Sequence, residues 1–143
     1  MAKSEKDIQE WKEYRLSLLE QKSKSDDDFE KYITFIASGG LGLTITFINE
    51  ISPLGESKFV YLIIAGWILL TFTLLINLFS HFLSSRNNEK TIQDIDDEID
   101  YDKLVENINR RNNNIFYLNL LSIIFLGFGI ISIIIYVSLN AYQ

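Results

Sequence analysis

Three charge-free stretches, each near the length needed to cross a bilayer, constrain this chain more than any motif in it. Tyr32 to Asn49 is 18 residues without a charge, Phe59 to Ser85 is 27, and Asn112 to Gln143 is 32. A helix needs about 20 mostly apolar residues to cross the hydrocarbon core of a bilayer. Lipid offers peptide groups no hydrogen-bond partners, so such segments are helices rather than loops or lone strands. The expected fold is all-α: an integral membrane protein with three transmembrane helices.

Charge is confined to what lies between these stretches. Residues 1–31 hold nine acids and seven bases, and residues 86–111 hold eight acids and five bases. The remaining acids are Glu50 and Glu56, and the remaining base is Lys58. Lys and Arg set membrane orientation, with acids contributing little. The N-terminus and the 86–111 segment are therefore expected in the cytoplasm, and the first turn and the C-terminus outside. No removable leader is expected, because the first apolar run stands behind thirty highly charged residues.

Four regions follow. Residues 1–31 form a cytosolic amphipathic helix and linker, 32–85 a transmembrane hairpin, 86–111 a cytosolic helical connector, and 112–143 the third span. Ser4 and Asp7 fit a capping box, and Ile8, Trp11, Tyr14 and Leu18 share one narrow face. Ser23 to Asp28 is polar and reads as a turn, after which Ser25 and Asp28 offer a second capping box into the first span. Ser52-Pro53-Leu54-Gly55 marks the tight turn between spans one and two. In the connector, Ile92, Ile95 and Ile99 lie on one helical face and Tyr101, Leu104, Val105 and Ile108 on the opposite one. One straight helix cannot bury both against a single neighbour, so a break is expected near Asp100, making a short helical hairpin.

Each span carries a small or polar stripe. On the first, Ser38 and Gly42 lie in a four-residue repeat from Thr34 to Thr46, and are expected to form a helix-packing seam; a pore-lining or gating role is the alternative. On the second, Thr73, Asn77, Ser80 and Ser84 lie with Gly66 on one side of a helix otherwise built of Leu, Ile, Phe, Val and Trp. Polar groups inside a membrane face protein or water rather than lipid. This stripe therefore reads either as hydrogen bonding within a monomer or as the lining of an aqueous path in an oligomer. On the third, Ser122, Gly129, Tyr136 and Asn140 share a face, flanked by Asn119.

Chemistry of other kinds finds little support. The chain has no Cys, hence no disulfide, thiol nucleophile or thiolate metal site. His81 is the only histidine and has no second ligand type beside it. The acidic run Asp94 to Asp102 fails as a calcium loop, because Ile99 stands where the turn needs Gly and no Glu falls at the twelfth position. No catalytic residue, metal or cofactor is expected, and the protein is not read as an enzyme.

The charged helix Ser4–Lys22, the compact hairpin Tyr32–Ser85 and the short connector resemble the small membrane effectors of bacterial phage-defence operons, most of all the channel subunit of Hailong-type systems. The resemblance is one of architecture and transfers no binding residue. It implies a homo-oligomeric ion channel in the bacterial inner (plasma) membrane. Such a channel is gated by its N-terminal helices and by a nucleotide or oligonucleotide made by a nucleotidyltransferase. On this expectation the partners are the lipid bilayer, further copies of the chain, that nucleotide and inorganic ions. Thr73, Asn77, Ser80 and Ser84 line the pore, while Ile8, Trp11, Tyr14 and Leu18 form the gate helix's apolar face. The competing expectation is a non-conducting anchoring or assembly subunit that holds a soluble partner through residues 1–31 and 86–111.

Overall fold

A computed structural model describes residues 5–51, 54–55 and 57–140, apart from the side chains of residues 5–8 and 51. Its elements are α1 (Glu5–Ile51), α2 (Val60–Asp96) and α3 (Tyr101–Asn140). All three are long and apolar enough to cross a membrane, which supports a transmembrane protein. At 1.5 Å per residue, α2 is about 55 Å long and α3 about 60 Å. A hydrocarbon core about 30 Å thick accommodates only part of either. Contacts divide the chain into two units, residues 1–32 and residues 33–143.

Helix α1 runs unbroken through Ser23–Asp28. The turn expected there, and the cap expected at Ser25, are corrected. The stretch contains neither Gly nor Pro, and Ser, Lys and Asp each cost at most about 0.7 kcal/mol relative to Ala in a helix interior. Helix on both sides propagates across so small a penalty, since only nucleation is expensive. The Ser4 capping box lies outside the described residues, as do Ser52 and Pro53 of the first turn; Leu54 and Gly55 do form a turn.

In the second unit, α2 and α3 run antiparallel. Contacts pair Leu62 with Ser132, Phe72 with Phe125, Ser80 with Asn119 and Thr91 with Arg111. The two helices approach closely at Gly66 and Gly129. A Cβ built on Gly66 would lie 2.6 Å from Ile133 Cγ1 and 3.1 Å from the Gly129 carbonyl oxygen. Close backbone contact of this kind is what favours helix association in lipid, where no water-exclusion force acts between helices. The 33–51 part of α1 lies antiparallel on α2, matching Thr34 with Asn77 and Thr44 with Trp67. Ten residues along one helix thus answer ten along the other. Exposed aromatics stand toward both ends of the bundle, Phe59 and Tyr61 at one and Phe116 and Tyr117 at the other, as at bilayer interfaces.

The α2–α3 reversal is built from two caps. Glu98 takes a left-handed conformation (φ 49°). The Ile99 N–H donates to the Asp94 carbonyl at 3.2 Å and the Glu98 N–H to that of Ile95 at 3.0 Å, the bond pair of a Schellman ending. Asp100 then caps α3: its Oδ2 accepts from the Asp102 N–H at 3.2 Å and its carbonyl from the Leu104 N–H at 2.9 Å. The apolar face therefore switches helices at residues 97–100, beside the position where the two opposed isoleucine and leucine faces require it.

Candidate functional site

The polar stripes of the second and third spans meet each other. Gly66, Thr73, Asn77 and Ser80 on α2 are buried, and so are Ser122, Gly129, Tyr136 and Asn140 on α3. Thr73 and Ser80 are 0% exposed and Asn77 is 2%. The Asn77 Nδ2 donates to Thr34 Oγ1 on α1 at 2.8 Å. The Ser80 hydroxyl donates to Asn119 Oδ1 on α3 at 2.8 Å, and Thr73 Oγ1 to the Leu69 carbonyl of its own helix at 3.0 Å. Ser84 is half-buried. Within one chain Thr73 is fully buried, and Asn77 and Ser80 face α1 and α3. The physical reason is that two facing helices have complementary stripes, and an amide or hydroxyl in an apolar medium takes the nearest partner.

The seam continues to both ends of the bundle. At one end Asn140, 6% exposed, accepts from the Lys58 N–H at 2.8 Å and donates to the Lys58 and Tyr136 carbonyls at 3.0 and 2.9 Å. One side chain thereby ties the end of α3 to the turn before α2. The next residue, Phe59, sits in the left-handed region (φ 57°), a conformation costing a non-Gly residue about 1–2 kcal/mol. At the other end Arg111 reaches Asp94 Oδ2 at 2.7 Å and Thr91 Oγ1 at 2.8 Å, and Asn107 donates to the same Asp94 oxygen at 3.3 Å. This clamp escaped the sequence reading because Asp94 and Arg111 become neighbours only once the α2–α3 register is known.

Within the chain, helix α1 packs through Thr34 of the four-residue repeat and through Ala37 and Gly40 beside it. Ile33, Ala37 and Ile48 are buried, Gly40 lies against Leu70, and Thr44 accepts the Trp67 indole N–H at 2.9 Å. Ser38 and Gly42 are exposed, and nothing lies within 4 Å of a Cβ built on Gly42. Ser38 and Gly42 thus take no part in the contact between α1 and α2 within the chain. Ser38 bonds back to the Thr34 carbonyl at 2.7 Å. On the amphipathic segment, Trp11, Tyr14 and Leu18 are exposed; the side chain of Ile8 falls outside the described residues.

Chemically, the seam offers neutral hydroxyls and amides closed by one ion pair at the Arg111 end. Among the described residues no three of His, Cys, Asp and Glu stand close enough to hold a metal. Fold and seam together define an all-α protein with three helices able to span a membrane, held by polar contacts between them. Comparison with family models, with curated proteins and with solved structures finds no match.

Proposed function

We propose that the protein is a non-catalytic membrane anchoring and assembly subunit, whose helix bundle sits in the bacterial plasma membrane and whose charged segments, 1–31 and 86–111, engage a partner in the cytoplasm. The observation that carries this reading is the closure of the α2 polar face inside the chain. Asn77 and Ser80 bond across to α1 and α3 and Thr73 is fully buried, so the central part of the α2 polar stripe is taken up inside one chain. The 86–111 segment also exposes apolar side chains, among them Ile92, Ile95 and Tyr101, in a stretch too charged for lipid. Large apolar groups exposed to water mark contact surfaces. The orientation, with the N-terminus inside and C-terminus outside, rests on the Lys and Arg distribution.

A second reading has an observation of its own. Ser38, Gly42, Thr46 and Asn49 on α1 are exposed and point within about 80° of one another, away from α2. In a homo-oligomer this face meets a neighbouring copy or a lumen. That favours a homo-oligomeric ion channel with α1 rather than α2 at the conducting interface; its role as a toxic antiphage effector gated by the N-terminal helix and a nucleotide rests on the architectural resemblance.

Planar-bilayer recording of the purified chain separates the two. Under the anchoring reading the bilayer stays silent, with or without added nucleotide. A uniform single-channel current that changes with Thr46→Leu, while Asn77→Leu leaves it unaltered, would replace anchoring with an α1-lined channel.

A further inference from the structure

We propose that the exposed face of α1 over residues 11–22 is a docking surface for an anionic lipid leaflet. At 100° per residue, Tyr14, Leu18, Trp11, Leu19 and Leu16 fall on one arc about 200° wide. Arg15, Lys22 and Lys12 lie within that same arc, while Glu10, Glu13 and Glu20 all lie on the opposite one. Every one of these side chains is exposed. Trp11 and Tyr14 meet edge-on at 6.5 Å on the apolar side, and Gln9 donates to Glu13 at 2.9 Å on the polar side. Over residues 10–22 three acids and three bases balance, yet they are sorted by face.

Two observations select lipid over a protein groove. A helix packed on another protein element typically buries a stripe of little more than 100°; this arc is about twice that and suits a plane. Its cations also sit among the apolar residues, where long Lys and Arg stems lie along apolar surface while the heads reach phosphates. An anionic leaflet supplies both the apolar depth and the negative charge. Docking on the leaflet this chain itself crosses requires α1 to bend between this face and the first span. With residues 11–22 on lipid, the partner contact of the anchoring reading falls to 86–111.

The test uses the full chain with Trp67→Phe, leaving Trp11 as the single indole, in vesicles containing brominated lipid. Quenching of Trp11 is expected in phosphatidylglycerol-rich vesicles and not in phosphatidylcholine alone. Each cation moved off the surface weakens the association roughly fivefold, so Arg15→Glu with Lys22→Glu should abolish quenching while Arg15→Lys with Lys22→Arg retains it. Circular dichroism checks that helix content is unchanged. Absent quenching in anionic vesicles, or quenching that ignores both lipid charge and the reversal, overturns the proposal. So does a Trp11 shielded from iodide but untouched by brominated lipid, which assigns the face to an acidic protein surface.

Discussion

Gly66→Leu is expected to separate α2 from α3, and Gly66→Ala to weaken their pairing measurably. The alanine Cβ alone would stand 2.6 Å from Ile133 Cγ1, a buried atom near the root of its side chain, and 3.1 Å from the Gly129 carbonyl. Either the helices move apart or Ile133 leaves its place. Overpacking of this kind costs about 1–3 kcal/mol for small additions. The gain from replacing a helical Gly, at most about 1 kcal/mol, offsets only part of it. Leucine adds a branched side chain to a crossing point with no room, and the loss exceeds that range. Gly42→Ala is the control, since nothing lies within 4 Å of its Cβ, and should be neutral or slightly stabilising. Thermal unfolding in detergent, followed by circular dichroism, reads all three.

Arg111→Ala should be the most damaging change at the opposite end of the bundle. Arg111 and Asp94 are 14% and 21% exposed at the side chain, and their closest atoms are 2.7 Å apart. Breaking a fully buried pair costs about 3–5 kcal/mol, because the remaining charge is left uncompensated. Here water reaches about a fifth of Asp94 and Asn107 still donates to it, so about 2 kcal/mol is expected once the full penalty is discounted. The guanidinium also donates to Thr91 Oγ1 at 2.8 Å. Arg111→Lys keeps the charge but not that fork, and should fall between the wild type and Arg111→Ala. In a double-mutant cycle with Asp94→Ala, the paired change should cost clearly less than the two single costs added. Additive costs would show that the clamp holds nothing.

How much of this was legible in the sequence varies by element. Charge-free length alone marks Phe59–Ser85 and Asn112–Gln143, because nothing but a helix satisfies peptide groups in lipid. The reversal near Asp100 was readable because the apolar face changes sides there. The direction of the α2 stripe was readable too, since Thr73, Asn77 and Ser80 recur at helical spacing. What that stripe faces was not, because a partner helix and a lumen demand the same residues. On α1 two interleaved sets of small residues compete, Ser38 with Gly42 and Ala37 with Gly40. Periodicity ranks neither; only Leu70 and Trp67 opposite decide for the second. The continuity of α1 through Ser23–Asp28 has no local signature, because Ser and Asp favour turns and caps as readily as a helix interior. The Asn140 clamp on Lys58 joins residues 82 apart, beyond the reach of any local pattern.

The seam between α2 and its neighbours is tested most directly by thiol labelling at Ser80. The chain has no cysteine of its own, so Ser80→Cys in native membranes carries one thiol in place of a hydroxyl of similar size. With Ser80 enclosed by α3 at Asn119, that thiol should stay unmodified by a membrane-impermeant aqueous reagent until detergent and heat unfold the bundle. Rapid modification in the folded, membrane-embedded protein would put water along α2 and contradict the closed seam.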